Sequence, residues 1–318
     1  MPLKNNETIS VTNIKGTKMI LCVGSTGLLG RKVVNDLISK ESKVRCLLRN
    51  SSKTSLLEKT GAEIISTDFK DKELLNSAFK GIDTVISTFS TNIAKQPEAK
   101  GLWSNDYKIN LELIKKAKKH GVRKFVFTSY WGLAKFGAFE HGMIKKMIAD
   151  LLIISGLDYT VLRITSLATD MSLLLGSSLK KRGFAPVMMK RLERISPILL
   201  EDLSFCITDA IHNPKASNNI IEVAGKEEYT FLELQDLFSE AIGKKIRLIF
   251  VPLLVANIIA YTVDSITINK FNARGLVSAF SGGSTCDISI MNDIFRLEQG
   301  SFKEYMTDHF KNSDYPQK

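Results

Sequence analysis

From residue 19 onward, short apolar runs alternate with stretches whose apolar residues recur every three or four positions. The run MILCV, Met19–Val23, has the length and composition of a buried strand. Behind it Leu29, Val33 and Leu37 fall on one stripe with Val34 and Ile38 beside it, as an amphipathic helix requires. The same reading gives strands at residues 43–48, 62–67, 83–88, 124–129 and 158–163. Helical periodicity fills residues 52–60, 71–79, 104–120 and 141–155. A chain that passes through a helix between successive strands pairs them in parallel, because only a tight hairpin would reverse direction. The expected fold class is therefore α/β, an open doubly wound sheet with helices on both faces.

After residue 163 the rhythm changes. Residues 166–200 are rich in Leu, Met, Lys and Arg without clean alternation. A helix is expected at residues 202–212, a strand at 220–223 and a helix over Phe231–Ile242, opened by the capping-box pair Thr230 and Glu233. The organisation read from this is a loose extension over residues 1–17, a sheet domain over 18–165, and a small C-terminal α/β lobe over 166–318 packed on the same body. The most apolar stretch, residues 246–263, is interrupted by Arg247, Pro252 and Asn257. It falls short of the ~20 residues a spanning helix needs. It reads as a strand turning at Pro252 into a buried or interfacial helix, which leaves a peripheral membrane contact open.

The net charge of +11 favours phosphate-bearing ligands, nucleic acid or an anionic surface. The basic clusters at residues 115–119 and 180–182 read as solvated helix faces, and no zinc finger or RNA-binding motif is present, so nucleic acid is not an expected partner. Cys22, Cys46, Cys206 and Cys286 are far apart, with no Cys-x-x-Cys pair, which fits a reducing, cytoplasmic setting. Residues 1–17 are polar and do not read as a signal peptide.

The first strand runs directly into GSTGLLG: Gly24, Ser25, Thr26, Gly27, Leu28, Leu29 and Gly30. Between a first strand and a first helix this spacing marks a Rossmann-type diphosphate loop. Gly24 allows the tight turn, Gly27 admits the diphosphate to the backbone, and Gly30 lets helix and strand pack closely. The end of the second strand selects the dinucleotide. NAD sites place a carboxylate there for the ribose 2′-hydroxyl, whereas this chain has Arg49, followed by Ser51, Ser52 and Lys53. A guanidinium matches a 2′-phosphate, so NADP(H) is expected over NAD(H). Asp68, after the third strand, is placed to receive an adenine amino group or to cap the helix near Asp71.

With these residues in view the chain resembles the atypical, extended short-chain dehydrogenase/reductases of the NmrA-like, NAD(P)H-binding group over about residues 18–255. The resemblance is carried by GSTGLLGRKVV, VRCLLRN, GAEIISTDFKD, GIDTVIST, GVRKFVFTS and SGLDYTVLR. It adds Phe69, Ser87 and Thr88 to the cofactor-binding set. In classical relatives a Ser ends the fifth strand and a Tyr-x-x-x-Lys lies on the next helix. Here Ser129 takes the serine place, His141 stands where the tyrosine is usual, and Lys145 keeps the lysine place one turn on. The resemblance implies that Lys145 meets the nicotinamide ribose, while the proton donor has changed. His141 is one candidate, although the Lys145 charge disfavours its protonated form. Tyr130 supplies another phenol nearby, and Lys145 acting alone is a third arrangement. Trp131, Phe136 and Phe139 form an apolar substrate wall or plain core.

Two functions follow as expectations. One is an NADP-dependent oxidoreductase moving hydride to or from an apolar, carbonyl- or alkene-bearing small molecule. The other is a non-catalytic dinucleotide binder that senses redox state or helps a protein partner assemble.

Overall fold

The computed structural model describes residues 18–50, 54–91, 103–132, 140–188, 190–267, 273–274, 277 and 282–312. The N-terminal extension, Lys53, Phe136 and Phe139 lie outside these described residues. The central sheet is formed by β1 (Met19–Val23), β2 (Val44–Arg49), β3 (Glu63–Thr67), β4 (Ile82–Ser87), β5 (Lys124–Tyr130), β6 (Asp158–Ile164) and β7 (Asn219–Val223). All pairings are parallel, in the order β7-β6-β5-β4-β1-β2-β3. The order reverses between β1 and β4, so a crevice opens at their C-terminal ends.

The α-helices are α1 (Leu28–Ser39), α2 (Lys72–Ala78), α3 (Lys108–Lys119), α4 (Glu140–Ile153), α5 (Ala168–Arg182), α6 (Leu200–Asp209), α7 (Phe231–Ile242), α8 (Leu253–Thr267), α9 (Ser289–Phe295) and α10 (Phe302–Asn312). Strand alternation divides the core. Ile20 and Cys22 pack with Val33 and Leu37 of α1, Leu203 and Ile207 of α6 and Ile294 of α9. Leu21 and Val23 pack on the opposite face with Leu75, Leu113, Ile144 and Ile148 from α2, α3 and α4. The doubly wound reading of the apolar runs is thus realised residue by residue.

Local chemistry sets several boundaries. Asp71 caps α2, its carboxylate accepting the N–H groups of Glu73 and Leu74 at 3.0 and 2.9 Å. The expected Thr230–Glu233 capping box is formed, and α7 ends on Gly243 in the left-handed region. Where a helix was expected over residues 52–60, the described part holds one 3₁₀ turn, Thr54–Leu56, with Leu57 as its buried anchor. Residues 103–107 form a π-helical turn ahead of α3. The sheet also extends beyond residue 165: β7 pairs with β6, and α6 and α9 cover one face. The remaining lobe packs Phe231, Leu234, Phe238, Met306 and Phe310 under a parallel ribbon of Phe184–Val187 and Arg247–Phe250. Residues 246–263 form that strand and α8, as the apolar pattern indicates.

Candidate functional site

The glycine loop occupies the crevice between β1 and β4. Gly24 has φ +88°, and a Cβ there would lie 2.7 Å from the Phe89 backbone nitrogen. At Gly30 a Cβ would lie 2.2 Å from the Gly24 carbonyl oxygen. Loop, helix and the exit of β4 therefore touch backbone to backbone, an approach open to glycine alone. Gly27 is the N-cap of α1, and no side chain caps that first turn. Its N–H groups remain available to an anion at the positive end of the helix. Thr26, Gly27 and Leu28 lie on the open side of the loop, whereas Ser25 is buried and Leu29 packs on the core.

Arg49 ends β2, exposed, with its guanidinium carbon 5.6 Å from the ring centre of Phe89. It therefore stands over the same β4 exit that the glycine loop packs against. Asp68 is engaged locally: one carboxylate oxygen accepts the N–H groups of Lys70 and Asp71 at 2.8 and 3.1 Å. Those bonds hold its carboxyl below the usual range, and Phe69 completes the turn at φ +63°. The helix cap is Asp71, so the cap option for Asp68 is superseded by a turn-forming one. Ser87 donates to Asn110 at 2.7 Å, and the Thr88 N–H donates to the Val23 carbonyl at 3.0 Å. Both tie the strand ends to their neighbours.

Beyond β4 the chain enters a buried polar network. Lys145, only 2% exposed, donates from Nζ to the Phe89 carbonyl at 2.7 Å and sits 4.9 Å from the Phe127 ring centre. Asp106, carried inward by the π turn, accepts the Thr91 N–H at 2.9 Å and the Thr91 hydroxyl. Its other oxygen lies 2.9 Å from His141 Nε2, which is also 3.1 Å from Ser90 Oγ. Burial alone would raise the Asp106 carboxyl, but His141, Lys145 and Thr91 outweigh it and hold it below its ordinary value. Burial, joined by the Lys145 charge, pulls His141 below the usual imidazole value against the opposing pull of Asp106. The consistent state is an Asp106 anion, a neutral His141 and a Lys145 ammonium. A carboxylate only accepts hydrogen bonds, so Nε2 carries the imidazole proton.

Tyr130 stacks edge-on against His141, with ring centres 5.2 Å apart, and its hydroxyl bonds to Ser90. Burial pushes this phenol up to about 12, a rise the Ser90 bond moderates. Next to it, the Ser129 hydroxyl is buried with no hydrogen-bond partner among the described residues. Such an oxygen is expensive to leave unsatisfied, and it lies at the sheet rim where a bound group would complete it. Trp131 is occupied, its indole N–H donating to Glu222 at 3.1 Å.

The site thus brings together the glycine loop, Arg49, Ser129, His141 and Lys145 around the β4 exit. It adds Ser90, Thr91, Asp106 and Asn110, which the sequence reading passed over. One signal was available: Asp106 and Asn110 are four apart, in line with Leu113 and Ala117, so they interrupt a buried stripe with polar groups. A dinucleotide fits these residues. The loop supplies uncapped N–H groups for a diphosphate, Arg49 a cation beside it, and Ser129 an unfilled hydroxyl.

Comparison with known proteins agrees with this geometry. Residues 24–177 match a protein family described as NAD(P)H-binding. The chain is 36% identical over 145 residues to the photosystem II assembly factor Ycf39 of Cyanophora paradoxa, covering 46% of this chain and 44% of that protein. It is 24% identical over 270 residues to the chloroplastic divinyl chlorophyllide a 8-vinyl-reductase of Arabidopsis thaliana, covering 78% and 63%. The match thus spans less than two thirds of either relative's length. In fold, it superposes on the NADPH complex of the Escherichia coli quinone oxidoreductase QOR2 with a TM-score of 0.72 at 20% identity, covering 92% of this chain and 99% of that one.

Proposed function

Because residues 24–177 are an NAD(P)H-binding domain of the short-chain dehydrogenase/reductase fold, we propose that this chain is an NADP(H)-dependent oxidoreductase acting on an apolar, carbonyl- or alkene-bearing small molecule. The observation that carries the reading is the run of side chains at the C-terminal rim, from the unsatisfied Ser129 through Tyr130 and Ser90 to the His141–Asp106 pair. When bound, the nicotinamide supplies or accepts hydride.

The chain's own residues do the rest. The α1 N–H groups hold the diphosphate, and Arg49 holds the 2′-phosphate. Lys145 spends one N–H on Phe89 and has two more to offer to ribose hydroxyls. Ser129 donates to the reacting oxygen, and Tyr130, kept protonated by burial, supplies the proton. His141, Ser90 and Asp106 act as positioning residues that fix the phenol.

The test is a fluorescence titration of NADPH and NADH onto the full chain and Arg49→Ala. The expected result is tighter NADPH binding, weakened about tenfold in Arg49→Ala with NADH unchanged, since a charge-assisted contact contributes about 1.5 kcal/mol or more. Equal affinity for the two dinucleotides would defeat the phosphate assignment. NADPH consumption should then appear with ketones, enones or quinones and fall in Tyr130→Phe.

One observation favours a second reading, a cofactor-binding assembly factor without turnover. His141, where the family resemblance places a tyrosine, commits its Nε2 proton to Asp106, so the usual proton donor is missing from its place. Similarity to the Ycf39 assembly factor supports it. Silence toward every acceptor class, with a stoichiometric protein partner co-purifying, would select this reading.

A further inference from the structure

We propose that α8 and the neighbouring basic ribbon form a docking surface for an anionic phospholipid membrane. This inference is independent of the cofactor reading, because none of its residues belongs to the crevice.

Helix α8 rests on the body through Ala256 and Ala260, which pack with Met188, Val251 and Val263. Its opposite side carries Leu254, Ile258, Ile259, Tyr261 and Ile266, exposed by 73, 60, 54, 64 and 73% respectively. At 100° per residue these side chains sweep an arc of about 160°, broken only by Thr262 and Ser265. Soluble proteins seldom leave such an aliphatic face to water. The helix has 15 residues, and among the described residues no helix is long and apolar enough to cross a membrane. An apolar arc on a helix anchored from behind is the geometry of a segment lying in the plane of a bilayer.

The electrostatics single out the partner. Residues 171–192 contain five cations and no carboxylate, and residues 244–263 contain three more and no carboxylate. Across the whole chain, by contrast, 44 cations face 33 acids. The fold brings these two segments together. Arg247 pairs in register with Phe184 and Ile249 with Pro186, while the Arg247 N–H donates to the Gly183 carbonyl at 2.9 Å. The exposed Lys181, Arg182, Lys245 and Arg247 therefore cluster at one end of the ribbon, with Phe184 and Ile249 exposed along it and α8 at its other end, roughly 13 Å on by strand rise. An aliphatic surface bordered by cations, with the one carboxylate of α8, Asp264, paired to Arg274 at 2.8 Å, matches an anionic headgroup layer over hydrocarbon. A protein-binding patch is richer in Trp, Tyr and Arg anchors and poorer in Leu and Val than this helix.

The experiment is co-sedimentation of the full chain with phosphatidylcholine vesicles, with and without phosphatidylglycerol. Binding is expected to vesicles containing phosphatidylglycerol and to weaken with salt. Lys181→Ala combined with Arg182→Ala should lower that affinity about 25-fold, at about fivefold per cation. Ile258→Asp combined with Ile259→Asp should abolish it while NADPH affinity and the circular dichroism spectrum stay unchanged. No sedimentation with either vesicle, or full binding by the Ile258/Ile259 variant, would overturn the proposal. So would a solution dimer that the same substitutions disperse, or capture of an acidic protein, when vesicle binding is absent.

Discussion

Two lysines bracket β5, and both are buried: Lys124 at the strand's N-terminal end is 1% exposed and Lys145, packed on its C-terminal end, is 2% exposed. Burial pulls both ammonium groups below their ordinary value. Their surroundings differ. Lys124 donates to Asp158 at 2.9 Å and to Ser217 at 3.2 Å, and Ser217 in turn donates to Asp158 at 3.0 Å. That triangle closes on itself and binds β5, β6 and the start of β7. Lys145 contacts a carbonyl and an aromatic face, with the Asp106 charge acting only at a distance. A fold that needed only stability would pair both cations. The lower rim satisfies its charge, and the upper rim keeps donors in reserve, which is what a ligand site requires.

The comparison can be broken most forcefully at the lower rim. Asp158→Ala strands the Lys124 ammonium in the interior and should cost about 3 kcal/mol of stability by urea denaturation. NADPH affinity should be unchanged in the same variant. If affinity fell with stability, the two rims would be one mechanical unit and the contrast would fail.

The upper rim should respond in the opposite way. Lys145→Met removes an incompletely paired buried charge and leaves the Phe89 carbonyl short of a donor, two effects that nearly offset. Stability should move by less than about 1 kcal/mol. NADPH affinity should fall about tenfold, the loss of a charge-assisted contact to the ribose. A large stability loss with unchanged affinity would make Lys145 a structural twin of Lys124.

Sequence and structure agree where the determinant is local. Short apolar runs located β1 through β6, since β1, β2, β4, β5 and β6 bury both faces within a few consecutive residues and the edge strand β3 half-buries Ile64 and Ile65. The glycine loop was legible because a Cβ at Gly30 would lie 2.2 Å from the Gly24 carbonyl oxygen, a steric demand that admits one residue type. The four-residue spacing of His141 and Lys145 placed both on one helical face, and both prove to reach the β4 exit. The partner of His141 was not legible, because Asp106 lies 35 residues earlier and its spacing from Asn110 marks it as a polar break in a buried stripe without showing which side chain it meets. Nor could a periodic pattern show that β7 returns to the sheet edge after the intervening lobe, since edge pairing is decided by packing of α6 and α9.

The smallest expected effect concerns the protonation of the upper-rim network. His141 lies against Asp106, Lys145 and Tyr130, and its folded value is lowered from 6.5, by burial first and the Lys145 charge second. Between that lowered value and 6.5 the unfolded chain binds the extra proton and the folded chain does not. Stability contributed by the neutral imidazole is therefore full above 6.5 and is lost as the pH falls below it. The depressed Asp106 carboxyl acts in the same direction at lower pH, where its stabilisation disappears only as the anion is finally protonated. His141→Gln keeps a donor for Asp106 but cannot titrate. Urea midpoints followed from about pH 7.5 to about pH 5 should fall more steeply for the natural chain than for this variant. The difference isolates His141 from His120, His212 and His309, whose values are also lowered by burial. Parallel curves would mean that folding leaves the proton affinity of His141 unchanged, whereas a shallower fall for the natural chain would mean that His141 is protonated when folded, and the upper rim would then hold a closed ion pair with Asp106 much as the lower rim does with Lys124.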